Sequence, residues 1–274
     1  MNKVYKLVSI DIDGTLLGSN RLVSEKTKEA IKKATELGVK IVITSGRPIN
    51  RVIDLVKELG LDKDEEYVIA NNGSTVHNTK DLSIIYERHL RGKDLKRVYK
   101  VFKRDGLAFE AHMDRGSLVE KDIVNVLPNN WRLSSEDTKI IDLNKELDDE
   151  EKVIKFLIIS KVDVLEDIYE DINKKFSNEY SIVRSFDHLC EFMYKGCNKA
   201  TGLMELGKHL GIKQDEIMSI GDELNDFEMI EYAGLGVAMG NARDEIKNIA
   251  NYITKSNDED GVAYALEKFI INAK

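Results

Sequence analysis

Cysteine and proline are scarce in this sequence, with two of each among 274 residues. Cys190 and Cys197 are too few for the disulfide framework that stabilises many small secreted domains. We therefore expect both side chains to be free thiols in a reducing compartment. A nucleophilic role for Cys197 is not expected, although it lies near residues that do suggest chemistry.

Long apolar runs and an excess of positive charge are also absent. No apolar run reaches the ~18 residues of a membrane span, and the chain starts without the basic-then-apolar pattern of a signal segment. Lys and Arg number 41 against 49 Asp and Glu, a net charge of −8. Nucleic acids and anionic membranes attract clustered cations, so neither is an expected partner. We expect a cytoplasmic protein, a monomer or small homo-oligomer, whose partner is a small molecule.

What is present suffices for a folded globular protein. The sequence is 42% hydrophobic and 33% charged, a balance that supports both an apolar core and a hydrated surface. Its length predicts one large domain or two of modest size.

The first third of the chain alternates between two patterns. Apolar runs at 7–10, 39–43 and 67–70 have the character of buried strands, and residues at helical spacing fill 24–37 and 48–59. This order predicts a parallel sheet with right-handed crossovers. Each run ends in small polar residues and glycine, as a ligand site at the carboxyl edge of a sheet requires.

The pattern changes in the middle of the chain and then returns. Residues 83–188 mix strands and helices without the regular alternation, and short apolar runs at 191–194, 217–220 and 235–238 resume it. We therefore predict an α/β fold: a Rossmann-like, doubly wound parallel-sheet core with an inserted α+β cap domain. The core would comprise residues 1–82 and 189–274, and the cap residues 83–188.

Asp11 and Asp13 follow the first predicted strand, and Gly14 ends its extended pattern. In a strand, residues two apart lie on one side, so both carboxylates could serve one centre. Neighbouring carboxylates repel unless a proton or a cation lies between them. The pair therefore suggests a shared proton or a hard cation such as Mg²⁺. A turn in which the two side chains cap backbone amides is the alternative.

Other predicted strand ends would bring complementary groups to the same edge. Ser45 and Gly46 offer a hydroxyl and backbone amides to an anion, and Lys199, at a helix start, offers a positive charge. Asp222, Asn225 and Asp226 follow a later strand and could complete the surroundings of a Mg²⁺ ion. An acidic metal site beside an anion site is suited to phosphoryl transfer.

Each of these residues also has an ordinary interpretation when taken alone. Lys199 could be a surface lysine, and Asp226 an acid that favours the dipole of a helix N-terminus. Ser45 and Asn225 could simply cap helices. Only their order along the chain, and their joint presence with Asp11, favour a shared site.

Four segments resemble a known family: Asp11-Ile-Asp-Gly-Thr-Leu-Leu, Thr44-Ser-Gly-Arg, Lys199 and Gly221-Asp-Glu-Leu-Asn-Asp. They are similar to the four ordered motifs of the haloacid dehalogenase-like hydrolases. The subclass that the chain resembles is the Cof-type phosphatases, which carry a large α/β cap of the C2B type between the second and third motifs. The likeness spans the core, and the cap matches in position and length more than in residues.

One departure concerns the third motif. Lys195-Gly-Cys-Asn-Lys stands where the family often has Gly-Val-Ser-Lys. Lys195 is therefore an alternative to Lys199. We prefer Lys199 because it directly opens the predicted helix.

The resemblance implies a role for each motif residue. Asp11 would be the nucleophile and Asp13 the general acid and base. Mg²⁺ would be bound by Asp11, the backbone carbonyl of Asp13 and Asp222. By the same resemblance, the phosphate would be bound by side chains or backbone amides of four residues: Ser45, Gly46, Lys199 and Asn225. Asp226 would orient Lys199 from behind, and the cap would select the substrate.

We therefore expect a Mg²⁺-dependent phosphatase that hydrolyses small phosphorylated metabolites, with sugar phosphates first, through an aspartyl-phosphate on Asp11. Two alternatives stay open. A phosphomutase or phosphotransferase would pass the phosphoryl group from the same aspartate to a sugar. A non-catalytic sensor would bind a phosphorylated ligand without turnover. A nucleotide-binding protein is disfavoured because neither G-x-G-x-x-G after the first strand nor a Walker lysine motif is present.

Overall fold

A computed structural model describes residues 4–63, 65–113, 116–120 and 138–273. The chain divides into two compact units, one of Met1–Glu87 with Asn198–Lys274 and the other of Arg88–Cys197. Trp131, which the sequence predicts as a half-buried core side chain in preference to a pocket wall, lies outside the described residues. Among those residues, no helix has both the length and the apolar character that a membrane span needs.

The described strands and helices, in chain order, have the following bounds. The strands are β1 (Leu7–Ile10), β2 (Lys40–Thr44), β3 (Tyr67–Ala70), β4 (Thr75–Asn78), β5 (Ile84–Glu87), β6 (Leu90–Arg91), β7 (Leu107–His112), β8 (Ser117–Glu120), β9 (Thr138–Ile141), β10 (Lys152–Val153), β11 (Lys155–Ser160), β12 (Tyr180–Phe186), β13 (Leu189–Tyr194), β14 (Ile217–Gly221), β15 (Leu235–Ala238) and β16 (Tyr252–Ile253). The α-helices are α1 (Glu25–Glu36), α2 (Ile53–Glu58), α3 (Gly92–Phe102), α4 (Leu143–Glu146), α5 (Val162–Phe176), α6 (Lys199–Leu210), α7 (Phe227–Tyr232), α8 (Asp244–Ile249) and α9 (Gly261–Leu266).

The first unit is built on a sheet with the strand order β16-β15-β14-β1-β2-β3-β4-β5. Neighbours from β16 to β3 are parallel, and β4 and β5 are antiparallel additions at one edge. In the centre, Ile10 of β1 pairs with Ile43 on one side and Ile220 on the other. The carboxyl ends of three parallel strands therefore lie side by side, and the predicted α/β class is confirmed.

Apolar side chains explain why these segments form strands and helices. Every residue of β1 is buried, which is expected of a strand covered on both faces. In α1 the buried residues Ala30, Ile31 and Ala34 recur at helical spacing, and the Ser24 side chain accepts a hydrogen bond from the Thr27 amide at the helix start. Both elements contribute to one apolar core.

The second unit contains a sheet of order β12-β13-β11-β7-β8-β9, in which only β8 and β9 run parallel among the described strands. A short antiparallel pair, β6 and β10, accompanies it. Residues of α3 and α5 share an apolar core with one face of the sheet. In that core Phe156 stacks on Phe192 with ring centroids 4.6 Å apart.

The expectation that the parallel sheet resumes at residues 191–194 is wrong. These residues lie in β13, which pairs antiparallel with β11 and β12 in the second unit. Conversely β5, at 84–87, pairs with β4 in the first unit. A short apolar run looks the same in either kind of sheet, and its hydrogen-bond partner is decided only by the tertiary fold.

Candidate active site

The loop after β1 brings its polar residues against the end of β14. Asp11 is 5% exposed, and its amide donates to the Ile220 carbonyl at 3.1 Å. Gly14 has a φ of 82°, and a Cβ there would lie 2.2 Å from Oδ2 of Asp222. Next to it, the Thr15 hydroxyl donates to Oδ1 of Asp222 at 2.6 Å. Glycine is therefore required at position 14 for the backbone to approach this carboxylate.

Lys199, the first residue of α6, is completely buried between two carboxylates. Its Nζ donates to Oδ1 of Asp11 and to Oδ1 of Asp226, each at 2.5 Å. Burial alone would lower the pKa of Lys199, but attraction to the two carboxylates and the hydrogen bonds raise it above its usual value. The lysine is therefore a permanent positive charge in this site.

Both carboxylate oxygens of Asp226 accept hydrogen bonds from groups of the protein. Its Oδ1 accepts from Lys199, and its Oδ2 accepts from the amides of Asp222 and Glu223 at 3.0 and 3.1 Å. A Cβ on Gly221 would lie 2.5 Å from the Cγ of Asp226, so the carboxylate is tightly enclosed. This arrangement suits a residue that positions Lys199.

Asp11, Asp222 and Asp226 form the one group of carboxylates in the described part of the chain that is arranged to hold a metal ion. One oxygen from each lies within 4.8 Å of the others. Burial raises the pKa of Asp222 to about 7, and burial followed by the charge of Asp226 raises the pKa of Asp11 well above its usual range. Because the oxygens of Asp226 already accept hydrogen bonds from Lys199 and the amides, Asp11 and Asp222 are the two that fit a hard cation such as Mg²⁺.

Asp13 lies at the surface of the same loop and pairs with Arg47. Its side chain is 64% exposed, and its oxygens accept two hydrogen bonds from the guanidinium, from Nε at 2.9 Å and from a terminal nitrogen at 2.5 Å. Such a two-point contact fixes the plane of the carboxylate. This partner was not predicted from the sequence, although Arg47 directly follows the Ser45-Gly46 pair.

The loops after β2, β3 and β14 meet through Asn72. Its amide donates to the Ser45 carbonyl at 3.0 Å, and its side-chain oxygen accepts from the Asn225 amide group at 3.1 Å. A Cβ on Gly46 would lie 2.8 Å from that same oxygen of Asn72. The structure thus links three residues that the sequence assigned to phosphate binding, Ser45, Gly46 and Asn225.

The hydrogen bonds of Ser45 limit how it can bind an anion. Its amide donates to the Ile69 carbonyl at 2.9 Å, and its hydroxyl oxygen accepts from the Arg47 amide at 3.1 Å. The hydroxyl hydrogen is therefore the donor that Ser45 can offer. The role of Asn72 in joining these loops was not predicted from the sequence. Its backbone is left-handed, with a φ of 53°. Asparagine adopts this conformation more readily than most residues, so the two asparagines before Gly73 favour it.

A carboxylate pair suited to a cation, a buried lysine and a loop suited to an anion lie at the carboxyl edge of a parallel sheet, which is the arrangement expected of a phosphoryl-transfer enzyme. Comparison with known proteins agrees. The family model described as haloacid dehalogenase-like hydrolase matches residues 8–266.

The alignments with known relatives cover nearly the whole chain. YxeH of Bacillus subtilis is 34% identical over 278 residues, which cover 98% of this chain and 99% of that protein. The 5-amino-6-(5-phospho-D-ribitylamino)uracil phosphatase YcsE of the same bacterium is 31% identical, with 97% and 96% covered. The solved structure of the subclass IIB sugar phosphatase BT4131 aligns with a TM-score of 0.81 at 26% identity, covering 96% of this chain and 98% of that one.

The chain therefore belongs to the haloacid dehalogenase-like hydrolases, and its predicted resemblance to the Cof-type members is confirmed. It is an enzyme that hydrolyses phosphate monoesters.

Proposed function

We propose that the enzyme is a Mg²⁺-dependent phosphatase of small phosphorylated metabolites, chiefly sugar phosphates, and that it works in the cytoplasm. Hydrolysis proceeds through an aspartyl-phosphate on Asp11. The observation that carries this proposal is the fully buried Lys199, 2.5 Å from both Asp11 and Asp226. A buried ammonium held by two carboxylates suits a site in which further negative charge must be accepted.

In the first step, a carboxylate oxygen of Asp11 attacks the phosphorus atom and the bond to the leaving oxygen breaks. Lys199 offsets the repulsion between this carboxylate and the phosphoryl oxygens. Asp13 donates a proton to the leaving oxygen. Its exposed side chain, oriented by Arg47, is accessible to a leaving group that arrives from solvent.

In the second step, water attacks the phosphorus atom of the aspartyl-phosphate. Asp13 now accepts a proton from that water, the bond to Asp11 breaks, and inorganic phosphate leaves. The hydroxyl of Ser45, the amide of Gly46, Lys199 and Asn225 hold the phosphoryl oxygens in both steps. The link from Asn225 through Asn72 to the loop of Ser45 supports this set of contacts.

The residues that would hold Mg²⁺ are Asp11, Asp222 and the backbone carbonyl of Asp13. When bound, the ion would neutralise charge on the transferring phosphoryl group. Thr15 orients Asp222 by its 2.6 Å hydrogen bond. Asp226 stays with Lys199, because the lysine and the amides of Asp222 and Glu223 already occupy its oxygens.

Substrate choice is assigned to the second unit, Arg88–Cys197, and catalysis to the first. The sugar phosphatase BT4131 and the ribitylaminouracil phosphatase YcsE are both named for substrates that carry several hydroxyl groups. A hydroxyl-rich phosphate monoester is therefore the proposed substrate class for this chain.

The test is phosphate release from p-nitrophenyl phosphate, ribose 5-phosphate, glucose 6-phosphate and the phosphorylated ribitylaminouracil, with Mg²⁺ or with EDTA. Release should require Mg²⁺, and Asp11→Asn should lower it by roughly 10³-fold or more, because the amide is a poor nucleophile. Asp54→Asn, at a side chain that is 91% exposed on α2, is the matched control and should leave activity unchanged.

Full Mg²⁺-dependent activity in Asp11→Asn would overturn the proposal. Transfer of the phosphoryl group from p-nitrophenyl phosphate to an added sugar, in excess of free phosphate, would instead identify a phosphotransferase.

A further inference from the structure

A short stretch of the first unit, residues 239–243 after β15, contacts both loops that carry the proposed Mg²⁺ ligands. We call it the bridging segment. On one side the side-chain nitrogen of Asn241 donates to the Gly14 carbonyl at 2.8 Å. On the other side the Arg243 amide donates to the Asp222 carbonyl at 3.0 Å. The bridging segment therefore joins the loop after β1 to the end of β14.

Two backbone partners fix the orientation of the Asn241 side chain. Its Oδ1 accepts a hydrogen bond from the Asn257 amide at 3.0 Å. An amide N–H only donates and a carbonyl only accepts, so the oxygen of Asn241 must face Asn257 and its nitrogen must face Gly14. The Asn257 side chain in turn donates to the Leu17 carbonyl at 2.9 Å. The two asparagines thus hold the loop after β1 at two of its carbonyl groups.

Gly14 is the point of this loop where an outside contact matters most. Its φ is 82°, and glycine turns readily about both of its backbone bonds. The hydrogen bonds that close the turn use other carbonyls, those of Asp11 and Ile12, which accept from amides further along the loop. The contact with Asn241 therefore fixes the plane of the peptide that follows Gly14.

That peptide lies between two parts of the proposed metal site. The carbonyl of Asp13, a proposed Mg²⁺ ligand, comes directly before Gly14. Thr15 comes directly after it and holds Oδ1 of Asp222 by its 2.6 Å hydrogen bond. A rotation at Gly14 would therefore change how the Asp13 carbonyl and the Asp222 carboxylate face each other.

We infer that Asn241 is a positioning residue for Mg²⁺ binding, an inference that rests on the proposed Mg²⁺-dependent function. Through the Gly14 carbonyl it holds the Asp13 carbonyl and Asp222 in the arrangement that one cation needs. Its own oxygen and nitrogen are bonded to Asn257 and Gly14, so it acts through the backbone and does not touch the ion. Groups that orient metal ligands in this way typically change metal affinity by about 10–100-fold.

The decisive experiment is titration calorimetry of the full chain with MgCl₂ alone, without substrate. Asn241→Ala should raise the Kd for Mg²⁺ by roughly tenfold or more. Asn241 is exposed, so its loss should leave the melting temperature of the metal-free protein near that of the wild type. Asn251→Ala is the matched control, because Asn251 is also exposed and accepts a hydrogen bond from the Gly236 amide at 2.7 Å. It should keep the wild-type Kd.

A second variant separates position from charge. Asn241→Asp keeps an oxygen for the Asn257 amide but replaces the donor to the Gly14 carbonyl with a second acceptor. A negative charge near the site would by itself strengthen cation binding. Weaker Mg²⁺ binding in both Asn241→Ala and Asn241→Asp supports the inference, and tighter binding in Asn241→Asp overturns it.

Activity gives an independent check. With p-nitrophenyl phosphate, the Mg²⁺ concentration for half-maximal rate should rise in Asn241→Ala by the same factor as the Kd. The KM for the ester at saturating Mg²⁺ should stay at the wild-type value, because the phosphate contacts are not altered.

An unchanged Kd in Asn241→Ala would overturn the inference, and so would an equal rise in Asn251→Ala, which would indicate a merely structural effect. Absence of Mg²⁺ binding to the wild type would overturn it as well. If the wild type binds Mg²⁺ but releases no phosphate from any compound, the proposed function fails, and the calorimetric comparison of the variants still decides the inference.

Discussion

At the scale of single residues, the first unit depends on the charge balance around Lys199. Asp11 and Asp226 are both buried, and each lies 2.5 Å from the ammonium. Either carboxylate would be strongly disfavoured there without the cation. The same lysine that serves the proposed chemistry therefore also stabilises the fold.

Lys199→Met should lower the free energy of unfolding by about 3–5 kcal/mol, because it leaves two buried carboxylates without their cation. Urea unfolding at neutral pH in EDTA measures the change without a contribution from metal binding. Lys208→Met is the control, since this lysine lies on the same helix with its side chain 70% exposed and paired to Glu205; its effect should stay within about 0.5 kcal/mol. Equal stability of the two variants would contradict the argument.

At the scale of elements, the site depends on tight contacts between loops and helix starts. Gly73, in the loop after β3, has a φ of 84°, and a Cβ there would lie 1.9 Å from the carbonyl oxygen of Asn198. Asn198 is the N-cap of α6 and precedes Lys199. The glycine thus lets the loop approach the helix end that carries the lysine.

Gly73→Ala should therefore lower the free energy of unfolding by roughly 2–4 kcal/mol, through both a strained φ and a backbone clash. Gly38→Ala separates the two effects. Gly38 has the same φ of 84°, but a Cβ at this position would meet no atom within 4 Å, so only the strain of about 1 kcal/mol should appear. Similar losses in both variants, measured by urea unfolding, would show that the close approach to Asn198 is unimportant.

At the scale of the whole molecule, the two units are built differently. The sheet of the first unit takes strands from both ends of the sequence, with β1 between β2 and β14. The second unit is continuous in sequence and largely antiparallel. Both cysteines belong to it, and both are free thiols, as the sequence predicted; the structure adds that both are buried.

Native protein should therefore react very slowly with a thiol reagent such as DTNB, and both thiols should react once urea unfolds the chain. Burial raises the pKa of the Cys190 thiol, so little thiolate is present at neutral pH. Cys197 is only 2% exposed. Rapid release of one equivalent from the folded protein would show an accessible thiol and reopen a chemical role for Cys197.

The sequence by itself determined the class of fold, the family and the order of the motif residues. Apolar runs alternating with helical spacing specify a parallel sheet locally, and the motifs follow the strand ends in chain order. The choice of Lys199 over Lys195 also followed from its place at a helix start. Lys199 is buried against Asp11, whereas Lys195 lies in the second unit and contacts the Ser177 carbonyl.

Only the tertiary structure decided which distant groups meet. The Arg47 partner of Asp13, the Asn72 link to Asn225 and the place of β13 in the second sheet depend on contacts between segments far apart in sequence. Which strands pair by hydrogen bonds depends on contacts between segments far apart in the sequence, and the periodicity along one strand carries no information about its partner.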